Sequence, residues 1–410
     1  MKKYFYYSCF AIFTVLTACG GGSGSSAATT NITAADISSI HQACTYTGDS
    51  AVSTTTKIIN AIPARTQWNE NSGYCGETSM LSAGLYYGQY VSQYTARSLG
   101  DAVLNPPLDQ ITGELLIGTY GHYGPNHPNN SITGAATAMH LNYQEYNQKF
   151  NRSGNSKRPS ADFFAWIKQN VVAKYPVIIG VYENSSVFGQ SPPDPEYDHI
   201  VPVFGISSTT LTSGVYSDSD VIYLHDNGLF TGSGYSPAGC YQYQVGPFQK
   251  SRKAADRASA GVYSVSDNSN QGGNYGITIT GVMAENINLL PISIQTTPTF
   301  ESPEIEHHSN TQPAPEIMKL AITVSDLLPK TDYVLMEYNS FTALPNNAPF
   351  PNEDDFSKSV GTPANSCIIN LSSGNSFVRN ETILSNQIVI YRAALKSSLP
   401  AFTSQLPNCE

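Results

Sequence analysis

The hydrophobic pattern of this chain changes character once, and that change limits the folds open to it. Up to about residue 270, apolar residues recur at both helical and strand spacing. Beyond 275 every strong apolar segment has strand character: 276–282 (GITITGV), 290–296 (LPISIQT), 320–327 (LAITVSDL), 332–338 (DYVLMEY) and 387–393 (QIVIYRA). Between the two regions, 264–274 (SVSDNSNQGGN) reads as a linker. At 410 residues the chain is too long for one core of usual size, so two domains are expected. The first, over 56–271, is expected to be α+β, because its helices come first and its strands after. The second, over 275–410, is expected to be an all-β sandwich. No period of 20–50 residues repeats, which argues against a solenoid.

Within the first region a helix is predicted from Cys75 to about Tyr90, with Met80, Leu81, Leu85, Tyr87 and Val91 on its apolar face. Gly84 and Gly88 allow close packing there. A second helix is predicted over Ser160–Ala173, with Ser160 as N-cap and Phe163, Phe164, Ile167 and Val171 at helical spacing. Strands are predicted at Pro176–Tyr182, His199–Ile206 and Val221–His225.

The N-terminus sets the compartment. Lys2 and Lys3 precede an apolar run, Tyr4–Leu16, that is too short for a mature membrane span and suits a signal peptide. It ends in Leu16-Thr17-Ala18-Cys19, which resembles a bacterial lipobox. On that reading residues 1–18 are removed, Cys19 is lipidated, and 19–55 form a tether and polar linker. The protein is then an outer-membrane or cell-surface lipoprotein held to the membrane by lipid alone. Cleavage by ordinary signal peptidase would instead release a secreted protein. With 21 basic and 31 acidic residues the formal net charge is −10, which argues against sustained nucleic-acid binding.

Export makes the seven cysteines informative. Cys9 leaves with the signal peptide and Cys19 takes the lipid. Five remain: Cys44, Cys75, Cys240, Cys367 and Cys409. An odd number leaves one unpaired. Pairing within each region gives Cys44–Cys240 and Cys367–Cys409, and Cys75 is the remainder.

Cys75 stands where a reactive thiol is useful. It opens the first predicted helix, whose N-terminal N–H groups and dipole favour thiolate. Gln67, eight residues upstream, offers a side-chain amide for an oxyanion, together with the Cys75 backbone N–H. Glu77 in the first turn works against this, because its charge competes for the same dipole. Of eight histidines, His199 is best placed to act as base, at the start of an apolar strand where a rigid scaffold presents a side chain. The next strand ends in Asp226-Asn227-Gly228. Asp226 is the expected partner that fixes the His199 tautomer, and Asn227 is the alternative. Other motifs fail. Asp218-Ser219-Asp220 begins like a calcium loop but has Tyr223 where the turn glycine belongs. His122 and His127 have loose metal spacing and no ligand partner nearby. No metal or cofactor is expected.

These pieces resemble the papain-like cysteine peptidase fold, and more closely its bacteriocin-processing (double-glycine) peptidase-like group. The matching residues are Gln67, Cys75-Gly76-Glu77-Thr78-Ser79, the strand Pro176–Val181, and His199-Ile200-Val201-Pro202-Val203-Phe204-Gly205. The acid position of that group falls on Asp226. The resemblance implies a helix bearing the cysteine packed against an antiparallel sheet bearing the histidine and acid. In the second region Leu327-Leu328-Pro329-Lys330-Thr331-Asp332-Tyr333 resembles the L-x-P-x-T-x-Y of fibronectin type III domains. In those domains the tyrosine hydroxyl bonds back to the turn backbone.

The expected function is an exported cysteine hydrolase, a peptidase acting on a peptide or protein substrate through Cys75, His199 and Asp226, with Gln67 on the oxyanion. Two alternatives stand beside it. One is an amidase or acyl transferase acting on cell-wall peptides or protein glutamines by the same chemistry. The other is a non-catalytic surface protein that keeps the scaffold for binding.

Overall fold

The computed structural model describes residues 56–67, 73–101, 115–117, 131–146, 160–184, 197–211, 215–230, 235–236, 239–250, 262–266, 274–283, 288–297, 315–345, 360–399 and 406–409. The expected signal peptide, the expected lipidation site Cys19, the expected tether and Cys44 lie outside them, as does most of the 183–198 loop. In chain order the first elements are β1 (Thr56–Ile59), α1 (Cys75–Tyr86), β2 (Gln89–Tyr90), α2 (Gln93–Asp101), α3 (Ser131–Ala138), β3 (Leu141–Tyr146) and α4 (Ser160–Val172). Next come β4 (Val177–Glu183), β5 (His199–Ser208), β6 (Val221–Asp226), β7 (Leu229–Phe230), β8 (Tyr235–Ser236), β9 (Gly239–Gln244), α5 (Val245–Phe248), β10 (Gln249–Lys250), β11 (Tyr263–Ser266) and β12 (Gly276–Val282). The last are β13 (Ile292–Thr297), β14 (Ile317–Val324), β15 (Tyr333–Tyr338), β16 (Asn365–Ile369), β17 (Phe377–Leu384) and β18 (Val389–Leu395). The architecture is α+β with mostly antiparallel sheets.

A nine-stranded sheet organises the first part, in the order β10-β11-β4-β5-β6-β9, with β1 on β5 and β12 joining β3 and β4. Helices cover both faces of its centre. On one face Phe163, Phe164, Ile167 and Val171 of α4 share a core with Val177, Ile179 and Val181 of β4 and Val201 and Val203 of β5. On the other, Met80, Leu81 and Leu85 of α1 share a core with Ile178 and Ile200. Double coverage explains why β4 and β5 read as unbroken apolar runs instead of alternating. The α1 helix is buried from Cys75 through Leu85, polar residues included.

The first predicted helix stops sooner than expected. It ends at Tyr86, because Gly88 adopts φ +70° and turns the chain away. A Cβ at Gly88 would meet Ile292 Cγ2 at 2.8 Å, and one at Gly84 would meet Met139 Cε at 2.9 Å. Gln89 and Tyr90 then form β2, which pairs with β18.

The second part is a sandwich-like pair of sheets, β13-β14-β17 facing β16-β15-β18-β2. Met318, Leu320, Ile322 and Val324 alternate into the core between them. The expected turn bond is present: the Leu328 backbone N–H donates to the Tyr333 hydroxyl at 3.1 Å. Cys367 and Cys409 form the expected disulfide, 42 residues apart in sequence. Closing a loop of that length contributes about 4 kcal/mol by chain-entropy reasoning.

The boundary between the parts differs from the expectation of 56–271 and 275–410. β12, assigned to the sandwich, pairs antiparallel with β3 and with β4 of the first sheet. The expected linker is anchored at both ends: Ser266 N–H donates to Asn274 Oδ1, and Asn274 Nδ2 donates to Ser266 O, both at 3.0 Å. In exchange β2 leaves the first part to extend the sandwich. One apolar cluster therefore runs from α1 through β12 into β14, β15 and β18. Alternation marks a strand but not the edge it joins, and that choice is made by non-local pairing.

Two outcomes follow from this interlocking. Urea unfolding of the full chain is expected to show one transition, and two separated transitions would refute the shared core. Gly88→Ala should lower stability by about 1–3 kcal/mol, since it combines a strained φ with the Ile292 contact.

Candidate active site

Cys75 opens α1 as expected and is fully buried. Its chemical state is not the expected one. Cys75 is disulfide-bonded, and so are Cys240, Cys367 and Cys409. The expected pair Cys44–Cys240 falls partly outside the described residues, since Cys44 is not among them. The assignment of Cys75 as the unpaired cysteine is overturned. Elimination failed because it rested on parity and on assumed processing at Cys9 and Cys19, and neither specifies which sulfurs meet in space. A sulfur held in a disulfide is not a nucleophile.

His199 and Asp226 do come together. His199 begins β5 and is fully buried. Its Nε2 lies 3.0 Å from Asp226 Oδ1 at the end of β6. Asp226 is held by two further donors, Gly228 N–H to Oδ1 at 2.9 Å and the Tyr263 hydroxyl to Oδ2 at 2.8 Å. An ionised carboxylate only accepts, so the bond places the imidazole proton on Nε2 and leaves Nδ1 as the basic nitrogen. Nδ1 is buried and has no hydrogen-bond partner among the described residues. The Tyr263 ring stacks on the imidazole with centroids 5.4 Å apart.

Asn227, the alternative orienting residue, has a different job. Its Nδ2 is 3.1 Å from the Cys75 carbonyl, the Ser79 hydroxyl and the Ile200 carbonyl. Ser79 supports the same junction, donating to Cys75 O at 2.7 Å and approaching Ile200 O at 3.2 Å. Pairing of β5 with β6 starts only at Val203, so the Ile200 carbonyl is left for these side chains. Asn227 thus ties the first residue of α1 to the residue after His199. The imidazole itself shares the face of β5 that carries Val201 and Val203, whereas α1 packs on the Ile200 face. The link between the two elements is through the backbone: Asn227 bonds the Cys75 carbonyl at the start of α1 and the Ile200 carbonyl next to His199 at the start of β5.

Gln67 is also drawn in. Its backbone N–H donates to Asn227 O at 2.8 Å, and its side-chain amide donates to Gly228 O. One of its two amide protons is therefore already engaged at the turn that follows Asp226.

The conflict posed by Glu77 is resolved by a residue the sequence did not single out. Arg97 of α2 pairs with Glu77 at 2.6 Å, donates to Gly73 O, and lies 3.6 Å over the Tyr74 ring. Leu115 N–H also donates to Glu77, at 3.1 Å. Burial raises the Glu77 pKa and outweighs the lowering by Arg97. The Glu77 carboxylate is thus engaged by Arg97 and the Leu115 N–H. Gly76 is required at this place, because a Cβ would sit 1.9 Å from Leu115 O.

Other candidates are structural. His225 lies on the opposite face of β6, stacked 4.0 Å from Phe204, and burial pushes its pKa down to about 4. Asp220 forms a buried ion pair with Lys168 at 3.0 Å. Tyr263 completes the site but carries no local signal, and Ser79 figures only in the stretch after Cys75, with no role assigned. Ser79 falls among small helix residues, and Tyr263 falls in an ordinary strand beside the expected linker.

No family model matches this chain, and neither does any curated protein or solved structure.

Two variants probe the site's framework. Arg97→Ala strands a buried carboxylate and should cost about 3–5 kcal/mol in chemical denaturation. His225 is neutral when folded and takes up a proton on unfolding below pH 6.5. Its contribution is therefore present above 6.5 and lost as pH falls toward about 4, by up to about 3 kcal/mol. His225→Leu should flatten that part of the stability–pH curve.

Proposed function

We propose that this chain is an exported thiol-dependent amide hydrolase with a papain-like arrangement, a peptidase kept oxidised at Cys75 until a dithiol reductant opens the disulfide. The observation that carries this reading is His199: a buried imidazole with Asp226 on Nε2 and an Nδ1 that nothing in the described residues occupies, one residue before the Ile200 carbonyl that Asn227 ties to Cys75. A base without a proton acceptor role in the fold is costly to bury, and a thiol proton is the partner that gives it one.

Reduction exchanges the protein disulfide for one in the reductant and leaves Cys75 as a thiol. His199 Nδ1 takes the thiol proton, Asp226 stabilises the imidazolium through Nε2–H, and the sulfur attacks the amide carbonyl. The remaining Gln67 amide proton and the α1 N-terminus face the charge that develops on oxygen. The imidazolium then protonates the leaving amine, and water releases the acyl group. A lipid anchor at Cys19 would keep this activity on the cell surface, and an amine acceptor in place of water would make the same enzyme a transferase.

The disulfide itself, and the placement of α1 and the imidazole on opposite faces of β5, favour a second reading: a surface-binding protein on the same scaffold. Iodoacetamide labelling at pH 6 before and after dithiothreitol separates the two. Hydrolase chemistry requires Cys75 to label only after reduction, faster than a model thiol, and more slowly in His199→Ala. It also requires reductant-dependent cleavage of a peptide library that Cys75→Ala abolishes. Labelling at the model-thiol rate, unchanged by His199→Ala, would select the binding protein.

A further inference from the structure

A cleft of about 640 Å³ opens at the C-terminal end of α1, between the first sheet and the sandwich. It lies roughly 17 Å along the helix from Cys75, given 1.5 Å rise per residue, and is separate from the proposed active site. Tyr86, Lys174 and Tyr175 line it from one side, and Ile292, Tyr391 and Arg392 from the other. Among the described residues its lining includes two cations and no acid, in a chain of formal net charge −10.

Arg392 is the unusual member. It sits within β18 and is only 7% exposed, yet no carboxylate pairs with it among the described residues. Its Nη1 donates to Tyr87 O at 3.1 Å and to Tyr391 O at 2.8 Å, while Nε and Nη2 make no hydrogen bond to the described residues. Burial lowers its pKa to about 10, so it remains cationic at neutral pH. Capping α1 through the Tyr87 carbonyl accounts for part of this. A helix C-terminus offers only about half a negative charge, however, and the cap uses one guanidinium nitrogen. A buried cation without an anion costs several kcal/mol unless something compensates it. The free edge of the guanidinium is a fork suited to a carboxylate.

We infer that this cleft binds a carboxylate on an apolar body, with the carboxylate on Arg392, the body between the tyrosine rings and Ile292, and Lys174 at the mouth. The volume is that of an ordinary small-molecule site. The shared chemistry is found in a free aryl or branched-chain acid and in the C-terminus of a short peptide. This inference does not depend on Cys75 or His199.

Calorimetric titration of the full chain with 2-naphthylacetate, its primary amide, and acetyl-Gly-Gly-Phe as acid and as amide tests it. At least one acid should bind tenfold or more tightly than its own amide. The free acid binding best points to a small metabolite, and the peptide acid binding best points to a peptide C-terminus. Arg392→Gln should reduce the acid to the affinity of its amide. Should that variant fail to fold, exposed Lys174 serves: Lys174→Gln should weaken the acid severalfold and leave the amide unchanged. Equal affinity of acid and amide for the wild type, no binding of either acid at millimolar concentration, or an acid preference untouched by these variants would overturn the inference.

Discussion

The side-chain nitrogen of Asn227 stands 3.1 Å from the carbonyls of Cys75 and Ile200 and from the Ser79 hydroxyl. Each of those groups is buried, and a buried carbonyl without a donor costs about 1–3 kcal/mol. The amide therefore fixes how the start of α1 meets the start of β5. Everything at the site follows from that junction. Gln67 is docked by the Asn227 carbonyl, Asp226 is held one residue before it, and Gly228 N–H returns to Asp226 one residue after.

The other end of α1 is fixed by the sandwich. Gly88 turns the chain so that β2 becomes an edge strand on β18, and Arg392 of β18 binds the last carbonyl of the turn. β12 makes the reciprocal connection into the first sheet. One helix thus carries the cysteine at its N-terminus and a cation-lined cleft at its C-terminus, with a continuous core along its length. The sandwich is a structural part of the molecule and not a module on a string.

Much of this was legible because it is local. The strands at Val177, His199 and Val221 and the helix at Ser160 begin within a residue of their expected positions, since apolar runs bounded by Pro, Gly and Asp mark them. Cys367–Cys409 followed from pairing within the second region, and the Tyr333 turn bond from the resemblance of 327–333 to the fibronectin type III pattern. Asp226 was correctly preferred to Asn227 as the partner of His199, because the acid falls at the end of the neighbouring strand. Arg97, Tyr263 and Arg392 were not legible. Each acts on a partner in a different element, and nothing in its own neighbourhood records that partner.

The sequence by itself determined an α+β region followed by β-strands and the His199–Asp226 pair. Hydrophobic period and turn chemistry act over a few residues, so they can be read without the fold. Tertiary structure alone decided that Cys75 is oxidised, that Glu77 is paired with Arg97, that β2 and β12 change sides, and that Arg392 lines a cleft with no carboxylate beside it among the described residues. Those outcomes depend on which distant groups share a buried site, where an unmatched charge or sulfur has no water to turn to.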